Sequence, residues 1–164
     1  MKISFAKNHR KVLAPLIAAS ILTASLTLTM TSTFAVDLFS GGIGSETEPY
    51  QISTAEDLAK LAKDVNSGTT YADTYFEITQ DIDLTSYLSE AGEGYQNGKG
   101  WEPIGNKTTA FSGKIDGKGH LISGLWSNRP AATEGNDADA DNEYIGLFGR
   151  ISSATIANIE VEID

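Results

Sequence analysis

From residue 75 onward the chain is a succession of short apolar runs, each broken within a few residues by glycine, asparagine or aspartate. They fall at 75–79, 81–84, 101–105, 111–117, 120–126, 144–149 and 155–163. Such runs read as β-strands closed by tight turns, and 12 of the chain's 16 glycines fall in this region to supply them. Phe76, Ile78, Ile82 and Leu84 share one parity, so they line one face. No strand this short buries its apolar face unaided. A β-sandwich satisfies the pattern, and so does a solenoid in which each coil covers the next. A loose echo favours the solenoid: Ile122-x-x-Leu125 and Ile156-x-x-Ile159 lie 34 residues apart, each after a Phe-Gly-Ile cluster (Phe111, Gly113, Ile115; Phe148, Gly149, Ile151).

One helix precedes these runs. Ser53 with Glu56 forms a capping box, and Leu58, Leu61, Ala62 and Val65 recur at helical spacing. Gly68 offers a left-handed stop. Residues 49–52 read as a brief strand and residues 36–44 as a glycine-containing linker.

The first 35 residues are organised differently. Lys2, Lys7, Arg10 and Lys11 form a basic head, an apolar stretch follows to Met30, and Thr33-Phe34-Ala35 fits a signal-peptidase site. The expectation is an exported chain with a signal peptide at 1–35. The apolar stretch is also long enough to serve as a retained anchor across a ~30 Å hydrocarbon core. Net charge is −10, and removing the basic leader makes the remainder more acidic still. Such a surface repels nucleic acid and anionic lipid. There is no cysteine, so neither disulfides nor a lipoprotein thioether hold this chain.

The residues also resemble a known family. The stretch Glu48-Pro49-Tyr50-Gln51-Ile52-Ser53-Thr54-Ala55-Glu56-Asp57-Leu58 is similar to the start of bacterial surface proteins with GLUG repeats. In order along the chain come Asp81-Ile82-Asp83-Leu84, Trp101-x-Pro103-Ile104-Gly105 and the Phe111–Leu125 segment. That segment carries Gly113, Asp116, Gly117, Gly119 and Gly124; Gly146-Leu147-Phe148-Gly149 follows it. The resemblance covers roughly residues 44–164. It implies an all-β fold: a right-handed parallel β-helix with one short N-terminal capping helix, in adhesin-like proteins. Similar stretches occur in the non-catalytic front region of immunoglobulin A metallopeptidases. The organisation expected is signal 1–35, linker 36–44 and a β-helix domain 45–164. That domain is expected to be truncated at its C-terminus, because 159–164 alternates to its end and further coils would follow.

Asp81 and Asp83 share a strand face and would suit a polysaccharide hydrolase or lyase, or else are solvated strand positions. Asp137-x-Asp139-x-Asp141 begins like an EF-hand loop but lacks its Gly and final Glu, leaving at most a loose Ca²⁺ site. His120 is the one histidine beyond the leader, so a His-Glu-x-x-His zinc site is excluded. Trp101 suits core packing, while Trp126, Tyr95 and Tyr144 are candidates for stacking on sugar. The expectation is a non-catalytic surface or secreted binding module without a cofactor. Loops 89–100 and 129–143 would meet a glycan or protein of a host or cell surface. An enzyme acting on polysaccharide, or a fragment of a surface peptidase lacking its catalytic domain, are the alternatives.

Overall fold

The computed structural model describes residues 39–129 and 144–164. Residues 35–164 form one compact unit. In chain order the elements are β1 (Tyr50–Ile52), α1 (Ala55–Asn66), β2 (Tyr75–Ile78), β3 (Ile82–Asp83), α2 (Thr85–Leu88) and a 3-10 helix (Glu93–Gly98). After them come β4 (Lys114–Asp116), β5 (Leu121–Leu125), β6 (Thr155–Ala157) and β7 (Glu160–Ile163). The strands form two parallel sheets, one ordered β1-β2-β4-β6 and the other β3-β5-β7.

This is a mixed α/β fold with three helical segments and two open sheets among the described residues. It overturns the expected all-β right-handed parallel β-helix with a single capping helix. The strands are shorter than the apolar runs suggested, and the backbone between them closes local hydrogen bonds instead. The Leu88 amide donates to Leu84 O at 2.8 Å, Gly92 to Ser89 O at 2.8 Å and Lys99 to Gln96 O at 3.3 Å. Helical segments therefore occupy nearly as many described residues as strands do.

The core follows from strand register. Phe76 pairs with Ile115, which pairs with Ile156. In the second sheet Ile82 pairs with Ile122, and Ile122 with Val161. The four residues of common parity, Phe76, Ile78, Ile82 and Leu84, are all buried, as their alternation required. Rings continue the packing: Phe39, Tyr50, Tyr71 and Phe111 each lie 5.1–6.0 Å from Phe76, centroid to centroid. Phe39 is buried, and the Gln51 amide donates to Gly41 O at 2.8 Å, so residues 39–44 are pinned along β1.

The echo between Ile122-x-x-Leu125 and Ile156-x-x-Ile159 is not the register the backbone adopts. Ile156 sits beside Ile115, and Leu125 beside Ile163. Likewise Phe148 bridges Ile104, and Ile151 bridges Phe111. Residues paired in the sheets are separated by different numbers of residues along the chain, 41 from Ile115 to Ile156 and 38 from Leu125 to Ile163, so a fixed spacing does not report stacking.

Helix α1 forms where its apolar spacing indicated; Leu58, Leu61 and Val65 are fully buried and Ala62 nearly so. Its cap lies one residue later than expected. Thr54, not Ser53, accepts from the Asp57 amide at 3.1 Å, and Asp57 replaces Glu56 as the reciprocal partner. Ser53 is still tied to the strand layer, its hydroxyl 2.7 Å from that of Thr79. Asp57 is buried, and its Oδ2 accepts from the Ser53 amide (2.9 Å), the Thr54 amide (3.2 Å) and the Ser40 hydroxyl (2.6 Å). A buried carboxylate is tolerated there because its lone pairs are filled.

The motif residues are structural. Trp101 is buried, and its indole N–H donates to Leu147 O at 3.2 Å. Phe111 and Leu147 join the core, and Phe148 and Ile159 pack on it half-buried. Gly105 has φ +89°, and a Cβ there would stand 2.3 Å from Arg150 O, so only glycine lets the strands close. Gly117 is required by proximity alone, because a Cβ there would stand 2.3 Å from Asn158 O. Gly113, Gly124 and Gly149 are similarly crowded, while Gly119 and Gly146 have positive φ in open space.

Candidate functional site

Helix α1 presents Glu56, Ala59, Lys60 and Lys63 along the side away from its buried leucines. Facing them are Tyr87 of α2, then Glu93, Gly94 and Gln96 of the 3-10 helix, and Trp101-Glu102 beyond it. Together they line a cleft of about 290 Å³, near the lower end for small-ligand sites. The 89–100 segment contributes Glu93, Gly94 and Gln96 to its wall.

That segment is fixed from behind. Gln96 and Asn97 both have left-handed backbones, φ 46° and 56°. The Gln96 amide nitrogen donates to Glu102 Oε2 at 3.2 Å, and its carbonyl accepts from Arg129 Nη2 at 2.9 Å. Arg129 Nε also donates to Trp101 O at 3.2 Å, and Asn66 Nδ2 to Glu102 Oε1 at 3.2 Å. Glu102 and Gln96 are thus fully engaged. Lys60 is engaged too, with Asp64 Oδ2 at 2.8 Å and over the Phe39 ring.

Tyr87, Glu56, Glu93 and Lys63 differ. Their polar ends have no hydrogen-bond or ionic partner among the described residues. Tyr87 is half-buried, and its hydroxyl is held above the ordinary tyrosine range, first by burial and then by Glu93, Glu56 and Glu102. Gly94 is matched to this ring, since a Cβ there would stand 2.3 Å from Tyr87 Cε1. Among the described residues, the cleft therefore offers the Tyr87 phenol, the Glu56 and Glu93 carboxylates and the Lys63 ammonium without a partner.

The carboxylates singled out from sequence lie elsewhere. Asp81 Oδ1 accepts from the Leu121 amide at 3.0 Å and lies 3.1 Å from His120 Nδ1. Asp83 Oδ1 accepts from the Thr85 amide at 2.8 Å. Hydrogen bonds hold both acids below the usual carboxylate range, Asp81 chiefly through the Leu121 amide and Asp83 through Thr85. A glycosidic general acid needs the opposite shift, so this pair lacks a proton to give at neutral pH. Asp116 is tied likewise, to Asn158 Nδ2 and the Lys118 amide, both at 2.9 Å, and to the Lys118 ammonium at 3.0 Å.

Of the stacking candidates, Tyr95 packs edge-on against Trp126 at 6.1 Å, and neither lines the cleft. Tyr144 borders a smaller depression with Asn66 and Arg129. Among the described residues no group of three or more His, Asp or Glu is arranged to hold a metal. Asp137, Asp139 and Asp141, the 130–143 part of the second candidate loop, and the expected signal segment lie outside the described residues. No described helix is long and apolar enough to cross a membrane.

Sequence reasoning missed Tyr87, because α2 was not foreseen. The available signal was Leu84 and Leu88, two fully buried leucines at helical spacing around it.

Two larger proteins contain similar stretches. One is the "Putative Gly-rich membrane protein" of Evansella cellulosilytica, 40% identical over 114 residues, 70% of this chain and 11% of that protein. The other is halomucin of Haloquadratum walsbyi, 33% identical over 118 residues, 70% of this chain and 1% of that protein. The chain thus spans about a tenth or less of the relatives it matches. No protein-family model matches it, and no solved structure does.

Proposed function

We propose that this chain is an exported, non-catalytic binding and structural module of a bacterial surface or secreted protein, taking a glycan in the cleft between α1 and the 3-10 helix. The observation that carries this reading is the division of polar groups. Those that shape the cleft, Gln96, Glu102 and Arg129, are committed to one another, while Tyr87, Glu56, Glu93 and Lys63 are left uncommitted at its opening. Free acceptors and donors around an aromatic ring suit the hydroxyls and apolar faces of a sugar. Glu56, Glu93 and Glu102 outnumber Lys60 and Lys63 along the wall, and Lys60 is already paired with Asp64, so the cleft favours neutral or amine-bearing sugars over acidic ones.

Export is supported by the basic-apolar leader ending in Thr33-Phe34-Ala35, and surface residence by one relative's name as a membrane protein. The resemblance to GLUG-repeat surface proteins points the same way. Binding without turnover is supported by Asp81 and Asp83, whose carboxylates are both stabilised in the charged form.

A glycan array probed with the purified chain tests the proposal. Binding to neutral or amino sugars is expected, weakened about tenfold or more by Tyr87→Ala, which is one to two lost contacts. Release of reducing ends from any retained polysaccharide, abolished by Asp81→Asn, would replace this reading with an enzyme.

A further inference from the structure

The cleft beside α1 does not end at Tyr87. Glu56 and Tyr87, which line it, also line a second depression of about 260 Å³ at the N-terminal end of α1. Its lining includes Gln80, Asp81 and Asp83, around the start of β3, and Ser86 of α2. The two hollows thus form one groove, with Glu56 and Tyr87 at the waist. Each is small for a ligand site, and a linear chain lying along the seam reaches both.

The second hollow differs from the first in charge. Asp81, Asp83 and Glu56 line it, and no lysine or arginine does. Asp81 and Asp83 are both exposed, with buried Ile82 between them, so they face the same side. Each engages one oxygen with the fold. Asp81 Oδ1 accepts from the Leu121 amide and meets His120, and Asp83 Oδ1 accepts from the Thr85 amide. The Oδ2 atoms of both are without a partner among the described residues. Those same hydrogen bonds keep the two acids ionised at neutral pH.

The neutral groups nearby are engaged. Gln80 Nε2 donates to Ser53 O at 2.7 Å, and the Ser53 hydroxyl is bonded to that of Thr79. The amides of Ser53 and Thr54, where α1 begins, already donate to Asp57 Oδ2, so this helix end does not call for an anion. What remains for a ligand is carboxylate oxygen, whose strongest partner is an ammonium N–H.

We infer that the groove holds a linear glycan bearing free amino groups, one unit in the cleft beside the 3-10 helix and another over Asp81 and Asp83, whose carboxylates take its ammonium. This rests on the glycan reading given above, and adds to it a second subsite and a positive charge on the ligand. An N-acetylated unit brings no charge, and its acetyl group would strip water from ionised oxygens without replacing the lost bonds.

Titration calorimetry of the purified chain tests this with glucosamine oligomers of increasing length, from the monosaccharide to the tetramer, and with fully N-acetylated chains of the same lengths. At about pH 6 such amines carry their proton. Affinity for the free-amine chains should rise at least about tenfold from monosaccharide to tetramer, because the second unit binds from within the same molecule. It should exceed that of the acetylated tetramer about tenfold, and fall between about 0.05 and 0.5 M salt as charge is screened. Asp81→Asn combined with Asp83→Asn keeps an acceptor at each position, removes both charges and should erase the gain with length. Ser86→Lys, at an exposed position of α2, sets an ammonium in the same hollow. It should do likewise and serves if the paired variant misfolds, with circular dichroism reporting the fold. An affinity flat with length, equal for acetylated and free-amine chains, or unaltered in a folded variant overturns the second subsite and leaves the cleft as a glycan site. Failure of every sugar to bind overturns the glycan reading itself, and this inference with it.

Discussion

The interior strands and the last pair are built from the same residue types in the same register, yet they differ in nearly everything burial controls. Ile115 and Ile156 are paired neighbours in one row; the first is 2% exposed and the second 37%. Side-chain chemistry does not separate them, only what lies on the far side. At the opposite end that side is occupied: α1 drives Leu58, Leu61 and Val65 into the core, and residues 39–41 close β1. An apolar pattern therefore specifies which face a residue takes, while burial depends on the neighbour that arrives.

The comparison is broken most severely by truncating the row at each end. Phe76→Ala should lower unfolding free energy by about 3–5 kcal/mol, the usual cost of a large cavity in a packed core. Ile156→Ala should cost less than about 1 kcal/mol, since it removes half-exposed surface. Urea unfolding of the dilute chain measures both. Equal losses would show that the last layer is as well packed as the interior.

A smaller effect is expected at the start of α1. Asp57→Ala removes the acceptor for two amides and the Ser40 hydroxyl, and should cost about 1–3 kcal/mol by the same measurement. Glu56→Ala, at the exposed position first read as the capping partner, should leave stability nearly unchanged. The reverse order would restore Ser53 and Glu56 as the cap.

The smallest effect is electrostatic. Hydrogen bonds from Asn158 and the Lys118 amide and ammonium lower Asp116 from the ordinary 3.8 to about 2. Its folded-state pKa is depressed, so its contribution is present above about pH 4 and is lost as pH falls toward 2. Asp116 is solvent-screened, so the change is slight. Asp116→Asn should lower the thermal midpoint slightly at pH 7 and flatten its fall over that acid window, so that the two chains converge toward pH 2. A midpoint whose acid slope is untouched would remove Asp116 from the link between β4 and the turn after β6.

Single elements and buried positions were legible in the sequence, while the fold class was not. The helical spacing of Leu58, Leu61 and Val65 located α1, and the parity of Phe76, Ile78, Ile82 and Leu84 identified the buried face. Trp101 was read as a core residue and is one. The failures share a cause. Helix α2 and the 3-10 helix are four and six residues long, too short to show a period. The capping box admitted two frames, Ser53 with Glu56 and Thr54 with Asp57, both chemically sound. Ser40, seventeen residues upstream, donates to Asp57 in the frame the fold adopts.

The sequence by itself determined which residues turn inward and where the chain must bend, because alternation and glycine act on adjacent residues. It also determined an acidic surface without disulfides. Only the tertiary structure decided that the strands divide into two parallel sheets, that Ile156 stands beside Ile115, and that Tyr87 and Glu93 share a cleft with α1. Those facts depend on hydrogen bonds and contacts between segments tens of residues apart, whose free energy exists only once the chain has closed on itself.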